Sequence, residues 1–247
     1  MDKSDLQTHR RPLWPRRLTA SATSYLTAGL VILVALTAAL QASPVQAFGV
    51  YALIAGAVIW RLPEHRAHRT FGLANGATLL RAVAVALFAG LLGTDAPGQA
   101  WLIVGLASLA LTLDGADGWL ARRLTSESPF GARFDMEVDA LLILVLAALV
   151  FDDGRAGVWV LAAGGLRYVF VVAQVLAPVL RAPLPESRRR KTVCVLQIAV
   201  LILCLAPVVP LAASAVIAAA SIVVLAWSFA VDTVWLLRRR STPVVAA

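Results

Sequence analysis

Apolar stretches of about 16 to 22 residues recur from one end of this chain to the other, and a helix that crosses a bilayer needs about 20. A backbone in hydrocarbon must satisfy its own hydrogen bonds, so stretches of this kind fold as helices. With 60% of 247 residues hydrophobic and only 15% charged, the chain carries more apolar surface than a soluble domain of this size can bury. The expected fold is all-α, a polytopic membrane helical bundle. Eight spans are read at about 22–42, 45–60, 73–93, 99–120, 134–151, 156–180, 192–208 and 211–237. The second is short enough to be interfacial or re-entrant.

The net charge of +8 does not point to nucleic acid, because its distribution is that of a topology signal. Lys3, Arg10, Arg11, Arg16 and Arg17 precede the first span, and Arg61, Arg66 and Arg69 follow the second. Arg122, Arg123 and Arg133 lie between the fourth and fifth, Arg181 and the run Arg188 to Lys191 between the sixth and seventh, and Arg238 to Arg240 after the last. Eight spans put all of these on one side and Arg155 on the other, so both termini are expected in the cytoplasm and the protein in the inner, cytoplasmic membrane. Arginines at the termini also touch anionic lipid heads. The basic start and Val45-Gln46-Ala47 imitate a secretory signal, but the apolar run is too long and more spans follow, so a retained first helix is expected.

The polar segment from Arg61 to Gly72 divides the chain. A basic N-terminus (1–21), two helices (22–60) and a linker (61–72) precede a six-helix unit (73–238) and a tail (239–247). Polar residues inside spans occur in the six-helix unit, so the first two spans are expected to be dispensable for chemistry. No internal repeat is visible, which argues against an inverted-repeat transporter. His9, His65 and His68 have no second ligand set near them in sequence, and Cys194 and Cys204, in one span, read as small apolar fillers.

The chemistry lies in the connection between the fourth and fifth spans. Asp114, Asp117, Asp135 and Asp139 stand at the ends of helices otherwise apolar enough to cross a membrane. Intramembrane carboxylates are costly and are usually paired or functional. Steps of three and four put Asp114 with Asp117, and Asp135 with Asp139, on single helix faces, and a short link lets antiparallel helices gather all four. Four carboxylates together repel, and divalent cations are the simplest relief; an oxygen-only ligand set suits magnesium or manganese. Asn75, Thr78 and Arg81 form a polar stripe at the start of the third span, and Arg167 with Tyr168 lies inside the sixth. Glu137, two residues from Asp135, faces away from the acids and is set aside.

Asp114, Asp117, Gly118, Ala121, Arg122, Gly131, Asp135 and Asp139 fit the pattern D-x-x-D-G-x-x-A-R, eight residues, G-x-x-x-D-x-x-x-D. In this the chain resembles the CDP-alcohol phosphatidyltransferases, of the kind of the phosphatidylglycerophosphate and phosphatidylinositol phosphate synthases. The likeness covers about 73 to 238, a six-helix core whose first helix carries the Asn75, Thr78 and Arg81 stripe. It implies transfer of a substituted phosphate from a CDP-linked alcohol, usually CDP-diacylglycerol, to a hydroxyl acceptor, with release of CMP. It also implies that Asp114, Asp117 and Asp135 hold divalent metal on the pyrophosphate, with Asp139 near the metal and acting as base. Two ions, Mg2+ or Mn2+, would activate the attack and stabilise the leaving oxygen.

The nucleotide would meet Asn75, Thr78, Asp114, Asp117, Gly118, Ala121, Arg122 and Gly131. Gly118 and Ala121 leave no bulk on the helix face that it approaches, and Arg122 offers a planar fork to phosphate. Arg167, Arg190 and Lys191 are the candidate contacts for an anionic acceptor. Glycerol-3-phosphate or inositol phosphate is preferred over serine, phosphatidylglycerol or another alcohol. The expected partners are the CDP-lipid, a small alcohol and membrane lipids, with a homodimer as the assembly considered. Two rival readings use the same acids. A membrane prenyltransferase would carry two separated aspartate motifs where this chain has one cluster, and a divalent-cation transporter would hold its acids near the membrane midplane.

Overall fold

A computed structural model describes residues 16–62, 71–94, 98–124, 128–182, 184–185 and 187–239, without side chains for residues 16, 17, 113–124 and 239. Most of the expected basic terminus, of the linker and of the tail lies outside these residues. Among the described residues the chain is all-helical, with no strand. Eight α-helices follow in order: α1 Arg16–Ala39, α2 Pro44–Arg61, α3 Leu73–Gly90, α4 Gln99–Leu124, α5 Pro129–Asp152, α6 Ala162–Leu176, α7 Arg188–Leu205 and α8 Leu211–Arg239. Among the described residues five segments are long and apolar enough to cross a membrane: Leu18–Ala39, Pro44–Arg61, Leu73–Gly90, Val158–Leu176 and Leu211–Arg238. The polytopic helical membrane bundle expected from the sequence is the fold observed.

The boundaries differ from the expected ones where local chemistry overrides hydropathy. α5 begins at Pro129, ahead of its apolar stretch, because Pro129 occupies the first turn and the Ser128 hydroxyl accepts the Gly131 N–H at 2.9 Å. The motif residues Gly131 and Asp135 are therefore helical. α7 likewise starts at Arg188, so the basic run is its first turn. The sixth span is broken: short 3-10 turns over Val158–Leu161 and Pro178–Arg181 flank α6. Proline disfavours helical backbone in the residue before it, and Ala177 is extended ahead of Pro178. α2, expected as a doubtful span, is a continuous helix of 18 residues that opens on Pro44.

α3 is the central helix. In it 67% of residues are buried, against 17–28% in the other candidate spans. It packs on α1, α2, α4 and α5, while α5 also meets α6 and α7, and α7 packs on α4 and α8. Phe88, Leu87, Leu142, Leu146 and Leu201 are fully buried between them. The outer faces of α2, α6 and α8 instead expose Leu53, Trp60, Val169, Leu176, Val216 and Val223. Such a surface suits lipid and not water. α1 joins the core at the start of α3, where Ser21 Oγ accepts the Phe71 N–H at 2.9 Å. Tyr25, Phe71, Phe130 and Phe134 then form a chain of ring contacts with centroids 5.6–6.4 Å apart, from α1 to the first turns of α5.

Candidate functional site

The site is built where α3, α5 and α7 meet. Asp135 and Asp139 are one helical turn apart on α5, and both reach Arg81 of α3. The Arg81 guanidinium donates one arm to Asp139 Oδ1 at 2.7 Å and the other to Asp135 Oδ1. The side chain of Arg81 is 7% exposed, that of Asp139 20% and that of Asp135 45%, so the cleft opens toward the N-terminal end of α5. An arginine buried to this degree requires carboxylate partners, and two carboxylates at this spacing require a cation between them. Arg81 satisfies both needs. Its importance was visible in the sequence only as part of a polar stripe.

The other two members of the stripe turn into their own helix. Asn75 Nδ2 donates to the Phe71 carbonyl at 2.5 Å, and Thr78 Oγ1 donates to the Ala74 carbonyl at 3.2 Å. Asn75 nevertheless faces α5, because a Cβ added at Gly131 would lie 2.7 Å from its Oδ1. Gly131 is thus the point of closest approach between the stripe and the aspartate helix. Asp114, Asp117, Gly118, Ala121 and Arg122 lie on the helical backbone of α4, which puts Asp114 and Asp117 one turn apart; their side chains are outside the described residues. Among the described residues no three His, Cys, Asp or Glu side chains gather into a metal site. The described half still fits a hard divalent cation. Asp135 and Asp139 offer carboxylate oxygens at a solvent-facing edge, with Arg81 bound through one oxygen of each.

α7 closes the other side. Cys194 Sγ lies 3.8 Å from Asp139 Oδ2, so the cysteine read as a filler borders the acid. Arg190 and Lys191 precede Cys194 by four and three residues, which stacks them on the same face of α7, one turn beyond it. Lys191 is exposed. Arg190 donates to Asp232 of α8 at 3.4 Å and to the Pro185 carbonyl. Arg189 binds the same Asp232, together with the Ser228 carbonyl and hydroxyl at 2.6 and 2.7 Å, and its guanidinium lies 5.6 Å from the Trp227 ring. Arg167 pairs with Glu137 at 2.6 Å, and its buried Nε has no hydrogen-bond partner among the described residues. Glu137 does face away from Asp135 and Asp139, as its spacing requires, and that direction is where α6 brings Arg167.

Two signals for these partners were present in the sequence. Asp232 is an acid inside the apolar α8, and Glu137 is an acid inside α5; both fall under the same rule that singles out the four aspartates.

The sequence model of the family described as CDP-alcohol phosphatidyltransferase matches residues 71–231, well over half of the chain. The chain belongs to the CDP-alcohol phosphatidyltransferase family. The matched region starts at the head of α3 and ends within α8, which leaves α1 and α2 outside it. Members of this family generally depend on divalent cations. The chain is also 34% identical over 85 residues to ethanolaminephosphotransferase 1 of Homo sapiens, Mus musculus and Pongo abelii, covering 33% of this chain and 21% of each relative. It therefore matches about a fifth of the length of these curated relatives. No solved structure matches it significantly.

Proposed function

We propose that this CDP-alcohol phosphatidyltransferase transfers a phosphatidyl group from CDP-diacylglycerol to a hydroxyl acceptor and releases CMP, in phospholipid biosynthesis. The observation that carries the reading is the complete aspartate signature on α4 and α5, with Asp135 and Asp139 held side by side by Arg81 at an open edge. Asp114, Asp117 and Asp135, with Asp139 beside them, would hold Mg2+ or Mn2+, two ions in this reading. That metal supplies charge neutralisation at the pyrophosphate and at the leaving CMP oxygen. Asp139 takes the proton of the acceptor hydroxyl. Its Oδ2 is turned to α7, on whose face Arg190 and Lys191 stand. Asn75, Thr78, Gly118, Ala121, Arg122 and Gly131 receive the nucleotide.

The acceptor is placed on the α7 side, next to Arg190 and Lys191, and Arg167 remains a third candidate contact. A phosphorylated alcohol such as glycerol-3-phosphate or inositol phosphate fits cations there. The arginine distribution supports an inner-membrane protein with both termini and the cleft in the cytoplasm. A second reading has one observation in its favour. The named relatives are ethanolaminephosphotransferases, so the transferred group is then a small phospho-alcohol and the donor CDP-ethanolamine. CMP release by the purified protein in lipid nanodiscs, with CDP-diacylglycerol or CDP-ethanolamine and with magnesium, manganese or EDTA, separates the two. Release from CDP-diacylglycerol that depends on a divalent ion and on glycerol-3-phosphate or inositol phosphate supports the first. Release from CDP-ethanolamine and not from CDP-diacylglycerol, dependent on a lipid alcohol in the nanodisc whose hydroxyl takes the phosphoethanolamine group, replaces it with the second.

A further inference from the structure

We propose that Arg81 is a positioning residue of the transfer site, one that aims Asp135 and Asp139 and does more than neutralise them. The geometry is specific. One planar side chain engages one oxygen on each of two carboxylates a helical turn apart, and a guanidinium fork is the group that can do so with both arms fixed. With Oδ1 of Asp139 committed to Arg81, its Oδ2 is directed at α7, where Cys194 lies 3.8 Å away and Lys191 and Arg190 follow on the same face. Rotation of the Asp139 carboxylate would turn that oxygen off the α7 side. Arg81 itself cannot rotate freely, because its side chain is 7% exposed within the most buried helix of the bundle. The α3–α5 pairing therefore sets the direction in which the carboxylates of Asp135 and Asp139 face.

This inference rests on the proposed function, and the sign of one measurement separates it from the simpler alternative. If Arg81 were only a counter-ion, Arg81→Gln would remove a positive charge beside a cation site and tighten divalent binding, while Arg81→Lys would leave binding as it was. If Arg81 orients the carboxylates, both variants lose the fork. Divalent binding then weakens in both, by about 10- to 100-fold, as for other groups that orient metal ligands. Mn2+ titration followed by electron paramagnetic resonance reads this without turnover, in nanodiscs and beside the wild type, with thermal melting as the check on folding. Kinetics supply a second readout: kcat should fall in both variants while the KM for CDP-diacylglycerol changes by less than about threefold. Tighter Mn2+ binding in Arg81→Gln, wild-type binding in Arg81→Lys, or loss of the fold in both variants overturns the proposal. Failure of the wild type to release CMP from any CDP-alcohol defeats the proposed function instead, and the Mn2+ comparison still decides the role of Arg81.

Discussion

Replacing Gly131 by alanine tests the contact between the polar stripe of α3 and the aspartate helix with a single methyl group. The new Cβ would sit 2.7 Å from Asn75 Oδ1 and 3.1 Å from Ser128 Oγ. Neither neighbour can yield at no cost. Asn75 is buried and tied to the Phe71 carbonyl at 2.5 Å, and the Ser128 hydroxyl caps α5 through the Gly131 N–H. Overpacking of this kind costs about 1–3 kcal/mol. Alanine returns up to about 1 kcal/mol through better helix propensity. The net loss of stability should therefore be about 0–3 kcal/mol, less than the stability of a typical folded protein. Activity should suffer more, because the displaced groups are Asn75 and the start of α5, which carries Asp135 four residues on. If about 1.4–3 kcal/mol of that strain appears in the transition state, kcat/KM falls by about ten- to a hundredfold. The assay is CMP release set beside thermal melting in detergent, with Gly105→Ala as control. Gly105 has nothing within 4 Å of an added Cβ, so that variant should be as stable as the wild type or slightly more so, and fully active. Wild-type kcat/KM in Gly131→Ala would show that Asn75 and Gly131 do not shape the nucleotide site.

Gly164→Ala should do the reverse, since its Cβ would lie 2.4 Å from Leu144 Cα, a backbone atom that cannot step aside; α6 must move from α5, and the melting temperature should fall in the variant as isolated. Asp114→Asn, Asp117→Asn, Asp135→Asn or EDTA should abolish CMP release, whereas Asp139→Asn should slow it by about 10²- to 10⁴-fold with CDP-diacylglycerol still bound; full activity in EDTA would end the metal mechanism. Arg167→Gln should raise the acceptor KM by about tenfold if a substrate phosphate draws Arg167 away from Glu137, and Glu137→Gln should then leave that KM unchanged or lower it; equal losses of melting temperature in both with no KM change would make the pair a structural tie. Removal of the chain before Arg61 should lower the melting temperature and slow CMP release, because Ser21 and Tyr25 hold the head of α3 through Phe71; unchanged stability and rate would return α1 and α2 to the dispensable role expected from their lack of polar residues.

Each of the eight helices among the described residues overlaps an apolar run legible by hydropathy, because an apolar run of bilayer length in a membrane has no other stable backbone arrangement. The ends were less legible, and each discrepancy has a local cause. Ser128 and Pro129 start α5 ahead of its apolar stretch, Pro178 ends the sixth span early, and the arginines of α7 count as loop by hydropathy although they form a helical turn. For α1 and α2 hydropathy marks the helices and says nothing of what they touch. A ring contact such as Tyr25–Phe71 needs no charge, so the scarcity of charge in these two helices does not reveal it.

The site shows what a sequence of this kind contains and what it withholds. Each charge inside a span is visible on its own, and the cost of burying it says that a partner exists. The partner, however, lies on another helix: Arg81 is separated from Asp139 by 58 residues, Glu137 from Arg167 by 30 and Arg189 from Asp232 by 43. Helical spacing assigns faces within one helix and carries no information about which face of the next helix it meets. The two halves of the aspartate signature lie on consecutive helices joined by a short link, which is why spacing alone makes them one candidate site. Arg167 has no acid in its own helix, and Glu137 of α5 is the carboxylate that it pairs with. A substrate phosphate must now compete with that carboxylate, so an acceptor role for Arg167 requires the pair to open when substrate binds. Lys191 is exposed one helical turn from Cys194, on the face of α7 that borders Asp139, and among the described residues it shows no carboxylate partner with which a substrate would have to compete.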